Sequence, residues 1–445
     1  ELELFADVGF VGLPNAGKRA HSLHLLVVFW VCVAAPAMAR AASEDESSFL
    51  QSLLMGSTTT HYEYLEKLQE DYSRGRFVSS LEKALRASDP EQRARAAAAL
   101  GVMKDLPASS VKRLIRATED SHWRVRQQAA IALGSVGTTN PRAIPALVSV
   151  MHDRDPGAGY GAVVGLSRIG SAALPALTSL LLGSEPEARL RALEAISRLG
   201  DRAREAGPIL TRTLAEGEEA ERYAAAAALV HVGVPVEALP GLMRALQQAT
   251  TAVLPSSAAI QQAWPVEALG ILGASATVAI PLLTRALREN GNWEMRARAA
   301  EALGKIGSAS SVAQPELLNA LRDPVPYVRA GAVRALQNIG SLPSQAVPEL
   351  LSLLDDEYWV VSEGAVKLLK MSGPEGVRAC FRSLVGLLES QDSRVRNLAI
   401  INLGDLGAAP RDALPVLVRA LRDPDEGVRR AAINAVGAMG TQSQI

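Results

Sequence analysis

From about residue 75 to the end of the chain, apolar positions come in paired blocks at helical spacing, as Leu350, Leu351 and Leu354 do, each pair closed by a glycine. The closing glycines are Gly137, Gly170, Gly200, Gly233, Gly273, Gly307, Gly340, Gly373, Gly407 and Gly440, mostly 33 or 34 residues apart, with 30 before Gly200 and 40 before Gly273. Stepping back one period from Gly137 reaches Lys104 and a degenerate first copy, which makes eleven repeats. A proline opens most repeats (Pro145, Pro175, Pro208, Pro240, Pro281, Pro315, Pro348, Pro415), where its fixed φ and missing N–H suit a first helical turn. A polar turn follows, often Asp-Pro (Asp89-Pro90, Asp155-Pro156, Asp323-Pro324, Asp423-Pro424), and then an Ala-rich block whose final glycine can take a left-handed cap. This pattern predicts an all-α, right-handed solenoid of about eleven helical hairpins over 75–445, with 40–74 as a linker and polar helical cap.

These repeats resemble HEAT repeats, in particular the short class of the phycobilisome lyases. The signature V-R-x-x-A-x-x-A-L-G-x-I-G stands at Val125-Arg126 through Gly137 and at Val328-Arg329 through Gly340. The resemblance implies a scaffold for protein–protein interaction, with a chromophore (bilin) lyase-like accessory role as the alternative. Iron-binding hydroxylases of this class carry repeated His-Glu pairs, and no His-Glu occurs in this sequence.

An arginine sits eleven residues before the closing position in eight repeats: Arg93, Arg126, Arg189, Arg222, Arg296, Arg329, Arg396 and Arg429. Stacked beside the turn aspartates, such a column reads as a structural ladder of charge-assisted hydrogen bonds. Gly159, Gln262 and Ser362 interrupt it. Trp123, Trp293 and Trp359 each lie fourteen residues before their glycine, in repeats 2, 7 and 9. Not being consecutive, they are expected to cover their own turns rather than to make one surface. Repeat 3 carries Gly157, Gly159, Gly161 and Gly165, which predicts the loosest joint of the array at 155–165, since each glycine weakens a helix by roughly 1 kcal/mol.

Repeat 6 is seven residues longer than the period, and its excess falls in the segment 250–264 between its helices. An insertion there should leave the array as a loop, a candidate partner site that includes Pro255, Gln262 and Trp264. The string His152-Asp153-Arg154-Asp155 reads as an ordinary turn, and neither a metal nor a cofactor is expected.

The N-terminus has a different character. Residues 1–18, ELELFADVGFVGLPNAGK, resemble the entry to the phosphate loop of Obg-type GTPases, with Gly12, Gly17 and Lys18 at the G-x-x-x-x-G-K spacing. That resemblance implies nucleotide binding, but Arg19 stands where a magnesium-holding hydroxyl belongs and no further GTPase motif follows. Residues 19–39 then read as a signal peptide: Lys18 and Arg19, an apolar run Leu23–Pro36, and the small-x-small site Ala37-Met38-Ala39. Cleavage near Ala39 would place the protein in the periplasm or outside the cell without a stable membrane span, and the cytoplasm is the alternative.

With 46 basic and 47 acidic side chains, bulk charge gives no footprint for nucleic acid, and the expected partner is a protein. Two cysteines, Cys32 and Cys380, make no disulfide framework; Cys380 reads as a buried small apolar group.

Overall fold

The computed structural model describes residues 46–70, 77–103, 106–136, 142–251, 261–340, 342–406 and 410–442. The phosphate-loop and signal-like segments at the N-terminus lie outside the described residues. Regular structure among the described residues is helical throughout, in two compact units that meet in sequence at Ile169 and Gly170.

The first unit opens with a hairpin of α1 (Glu46–Met55) and α2 (Thr58–Glu70). Phe49 of α1 joins it to the repeats, its ring lying 4.9 Å from Tyr64 and 4.8 Å from Phe77. Three repeats follow: α3 (Val78–Ala84) with α4 (Pro90–Val102), α5 (Ala108–Ala117) with α6 (Trp123–Val136), and α7 (Ala143–Met151) with α8 (Pro156–Ile169).

The second unit continues as eight further hairpins. These are α9 (Leu174–Leu181) with α10 (Pro186–Leu199), α11 (Gly207–Glu216) with α12 (Glu219–Val232), and α13 (Leu239–Thr251) with α14 (Trp264–Leu272). Next come α15 (Ile280–Glu289) with α16 (Trp293–Ile306), α17 (Gln314–Ala320) with α18 (Pro326–Ile339), and α19 (Val347–Leu351) with α20 (Trp359–Met371). The last two are α21 (Pro374–Leu387) with α22 (Ser393–Leu406) and α23 (Pro410–Ala420) with α24 (Glu426–Gln442).

Each repeat supplies its core in the same way. Leucines of the first helix, such as Leu283 and Leu317, are buried beneath an alanine-rich second helix, in α16 Ala297, Ala299, Ala300 and Ala302. Alanine keeps helix propensity high and side chains short, so successive second helices can approach closely. The glycine of the A-L-G signature takes this furthest. A Cβ on Gly304 would stand 2.7 Å from the Cα of Ala335 in the next repeat, and one on Gly134 would stand 2.4 Å from the Cα of Gly165.

That geometry changes the reading of repeat 3. Its α8 is an unbroken fourteen-residue helix, and Gly161 and Gly165 press against the backbone carbonyls of Gln127 and Ala130. These glycines are close-packing positions.

The closing glycines also do more than cap. Gly340 is left-handed in the ordinary sense (φ 82°, ψ −11°), but Gly373 combines φ 83° with ψ −167°, a region that is essentially closed to residues with a Cβ. Gly440 departs from the pattern, because α24 runs through it to Gln442. Pro415 departs likewise and lies inside α23 instead of opening it.

Candidate functional site

The arginine column forms a ladder across successive repeats. Arg93 donates from Nε and Nη2 to the two carboxylate oxygens of Asp120, both at 2.8 Å, and from Nη1 to the carbonyls of Ala87 and Ser88 in its own turn. Arg126 repeats the fork on Asp153, Arg296 on Asp323, Arg329 on Asp356 and Arg396 on Asp423, always 27 residues ahead. Each guanidinium thus ties the acidic turn of the next repeat to the carbonyls of its own.

The acceptors are not simply the Asp-Pro aspartates. Asp323 and Asp423 serve the ladder, while Asp89 caps α4 through the Glu91 N–H and Asp155 accepts from the N–H groups of Gly157 and Ala158. Burial would raise Asp120, but the Arg93 fork and the His122 N–H outweigh it and hold its carboxyl below the usual range. The Arg396 guanidinium lowers Asp423 in the same way. Two arginines use other partners: Arg189 pairs with Glu221 at 2.7 Å, and Arg429 donates to the carbonyls of Asp423 and Pro424. Arg222 reaches the Gly217 carbonyl at 2.7 Å, but its Nε finds no acceptor, the next repeat being the enlarged one. The ladder therefore uses up most of the charge in this column internally.

At the enlarged repeat 6, Pro255 lies outside the described residues. The first helix alone absorbs part of the excess, contrary to expectation, while the second is shortened. Its first helix, α13, runs to thirteen residues, and its second, α14, begins only at Trp264 because Pro265 cannot continue a helix from upstream. Gln262 is buried with Nε2 unpaired. The Trp264 ring sits 5.6 Å from His231 and 5.2 Å from the Arg298 guanidinium. Trp264 also borders a groove of about 340 Å³ that is floored by α10 and α12 through Leu193, Tyr223 and Ala227. Among the described residues no group of three metal-ligating side chains comes together, His152 and Asp153 included.

The tryptophans give the least expected result. Trp123 behaves as a packing residue, its ring set against Gly157 of the next repeat and the Arg124 guanidinium 5.3 Å from its centre. Trp293 and Trp359 are exposed, at 43% and 59%. Nor are they isolated: Tyr327, itself 50% exposed, stacks on Trp293 at 5.5 Å and meets Tyr358 edge-on at 5.5 Å. Repeats 7, 8 and 9 thus share an aromatic ridge of Trp293, Tyr327 and Tyr358 in ring contact, with the exposed Trp359 next to Tyr358 in sequence. The tryptophan column alone concealed it, because Tyr327 stands one position out of register. Its place corresponds to Gly157 in repeat 3, on which Trp123 of the preceding repeat lands.

The stacked hairpins and their ladder define a helical-repeat protein. Comparison with known families agrees: HEAT repeats match residues 78–158, 314–386 and 381–445, and the PBS lyase HEAT-like repeat matches residues 295–323. The chain is a HEAT-repeat protein. The Obg-type resemblance of residues 1–18 is not borne out by these matches, all of which are to helical repeats. No curated protein matches the sequence.

Solved structures with the same fold include Kap121p bound to the extreme C-terminus of the protein phosphatase Cdc14p (15% identity, TM-score 0.54, 97% of this chain and 55% of that one). Kap121p bound to Pho4p gives 15% identity and a TM-score of 0.55 over 95% of this chain and 54% of that one. The chain therefore spans about half the length of these karyopherin structures, and at such identity the likeness concerns the fold.

Proposed function

We propose that the protein is a non-enzymatic scaffold that binds a protein partner. The observation that carries this reading is the ridge of the exposed Trp293, Tyr327 and Trp359 with the half-buried Tyr358. Large aromatic side chains supply much of the energy of protein interfaces, and three of them left in water on a helical array cost solubility unless something covers them. The structural neighbours solved with bound proteins, Pho4p and the extreme C-terminus of Cdc14p among them, support the reading by analogy of fold.

Cross-linking of the full chain in its native extract, followed by mass spectrometry of the linked peptides, tests it. Links to another protein should concentrate on residues 289–360, and an absence of heteromeric links anywhere would defeat the proposal. We propose further that residues 19–39 direct export, so that the native mature chain begins near Arg40. A native N-terminus upstream of residue 19 would defeat that part alone.

A further inference from the structure

Three aromatic rings outside the ridge each carry a cation. Tyr64 has the Lys67 ammonium 4.0 Å from its ring centre, Trp123 has Arg124 and Trp264 has Arg298. Among the described residues no lysine or arginine stands over Trp293, Tyr327, Tyr358 or Trp359. The residue after the tryptophan decides this: it is Arg124 in repeat 2, but Glu294 in repeat 7 and Val360 in repeat 9.

The turns that carry the open rings hold both engaged cations and exposed carboxylates. Arg322 of the repeat 8 turn is engaged by Glu349, and Glu294 by Arg298. The repeat 9 turn, which carries Tyr358 and Trp359, also presents Asp355, exposed and without an ion pair, and Glu357, whose side chain is 80% exposed. The cation nearest Glu357 is Arg329 at 3.7 Å, and both Nε and Nη2 of that guanidinium already donate to Asp356. Aromatic faces attract cations through their quadrupole, and exposed carboxylates of the same turn add a second attraction of the same sense.

We infer that the ridge, with Asp355 and Glu357, is the docking stripe for an extended segment of a partner protein bearing lysine or arginine. Its side-chain cations would lie over the rings that this chain leaves uncovered. The inference rests on the scaffold reading and adds the chemistry of the partner.

The test is titration of the full chain, followed by tryptophan fluorescence, with three peptides: alternating Arg-Gly, alternating Glu-Gly, and an uncharged proline-rich one. The Arg-Gly peptide should bind at least about tenfold more tightly than either of the others. Tyr327→Ala and Trp359→Ala should each weaken it about three- to fivefold, the scale of one exposed cation–π contact. Glu357→Lys should weaken it at least as much, whereas Trp359→Phe should retain most of the affinity. Tyr62→Ala and Asp201→Lys, exposed sites away from the ridge, serve as controls and should leave binding unchanged, and circular dichroism verifies the fold of every variant. Equal binding of the three peptides, or Arg-Gly binding indifferent to the ridge variants, overturns the inference. Tighter binding of the uncharged peptide at the ridge overturns it too. Failure of the scaffold reading is distinct: it would appear as an absence of heteromeric cross-links, whatever the peptides do.

Discussion

At the scale of single residues, the fold depends on where a methyl group can be tolerated. Gly304 touches the backbone of Ala335, so Gly304→Ala forces α16 and α18 apart, whereas an added Cβ on Gly386 meets nothing within 4 Å. Overpacking costs about 1–3 kcal/mol, and alanine's higher helix propensity returns up to about 1 kcal/mol. Gly304→Ala should therefore lower the urea midpoint while Gly386→Ala leaves it unchanged or raises it. Equal effects of the two would contradict the close-approach role. Cys380 gives a second check at this scale. It is fully buried, and burial pushes its thiol up to about 12. The native protein should resist alkylation at neutral pH and react only on unfolding, which a mass shift after iodoacetamide treatment measures.

At the scale of elements, the arginine ladder is the main device that fixes one hairpin against the next. Arg329→Ala leaves the nearly buried Asp356 without its fork and should cost about 2 kcal/mol, the usual worth of hydrogen bonds to a charged group. Urea denaturation of the full chain checks it. The ladder also sets a pH dependence. Asp120 and Asp423 are held below their ordinary 3.8, so their contribution is complete above that value and fades as pH falls further. The stability lost by Arg396→Ala should therefore shrink below about pH 4; a constant difference down to pH 2 would remove the ladder as its source.

The column of arginines was legible in the sequence because a constant side chain at a constant offset in a stacked repeat must fall in line. Its acceptors were less so: Asp120, Asp153 and Asp356 precede no proline, and only the recurring 27-residue interval marks them. The aromatic ridge was not legible as a column, because its contact runs between neighbouring repeats from one register position to the next. The enlarged repeat misled in another way. Its excess length was visible, but how it divides between a longer α13 and a late start of α14 before Pro265 was not.

At the scale of the whole molecule, stability in a repeat array is nearly a sum of repeat and nearest-neighbour terms, so a joint whose linking position has no side chain at all couples least. Repeat 3 carries Gly159 in the arginine column, and glycine has no side chain with which to hold the turn that follows. The division of the chain into compact units falls directly after that repeat, at Ile169 and Gly170. Within the first unit, by contrast, α6 and α8 press backbone to backbone through Gly134 and Gly165. Amide exchange under native conditions should then show two free energies of opening, one shared by α4, α6 and α8 and another by the helices from α10 onward. On this argument α8 belongs with the protected core of its own unit and does not open first. Exchange of α8 faster than α6, or a single free energy across the entire chain, would show that the missing arginine at position 159 does not divide the molecule.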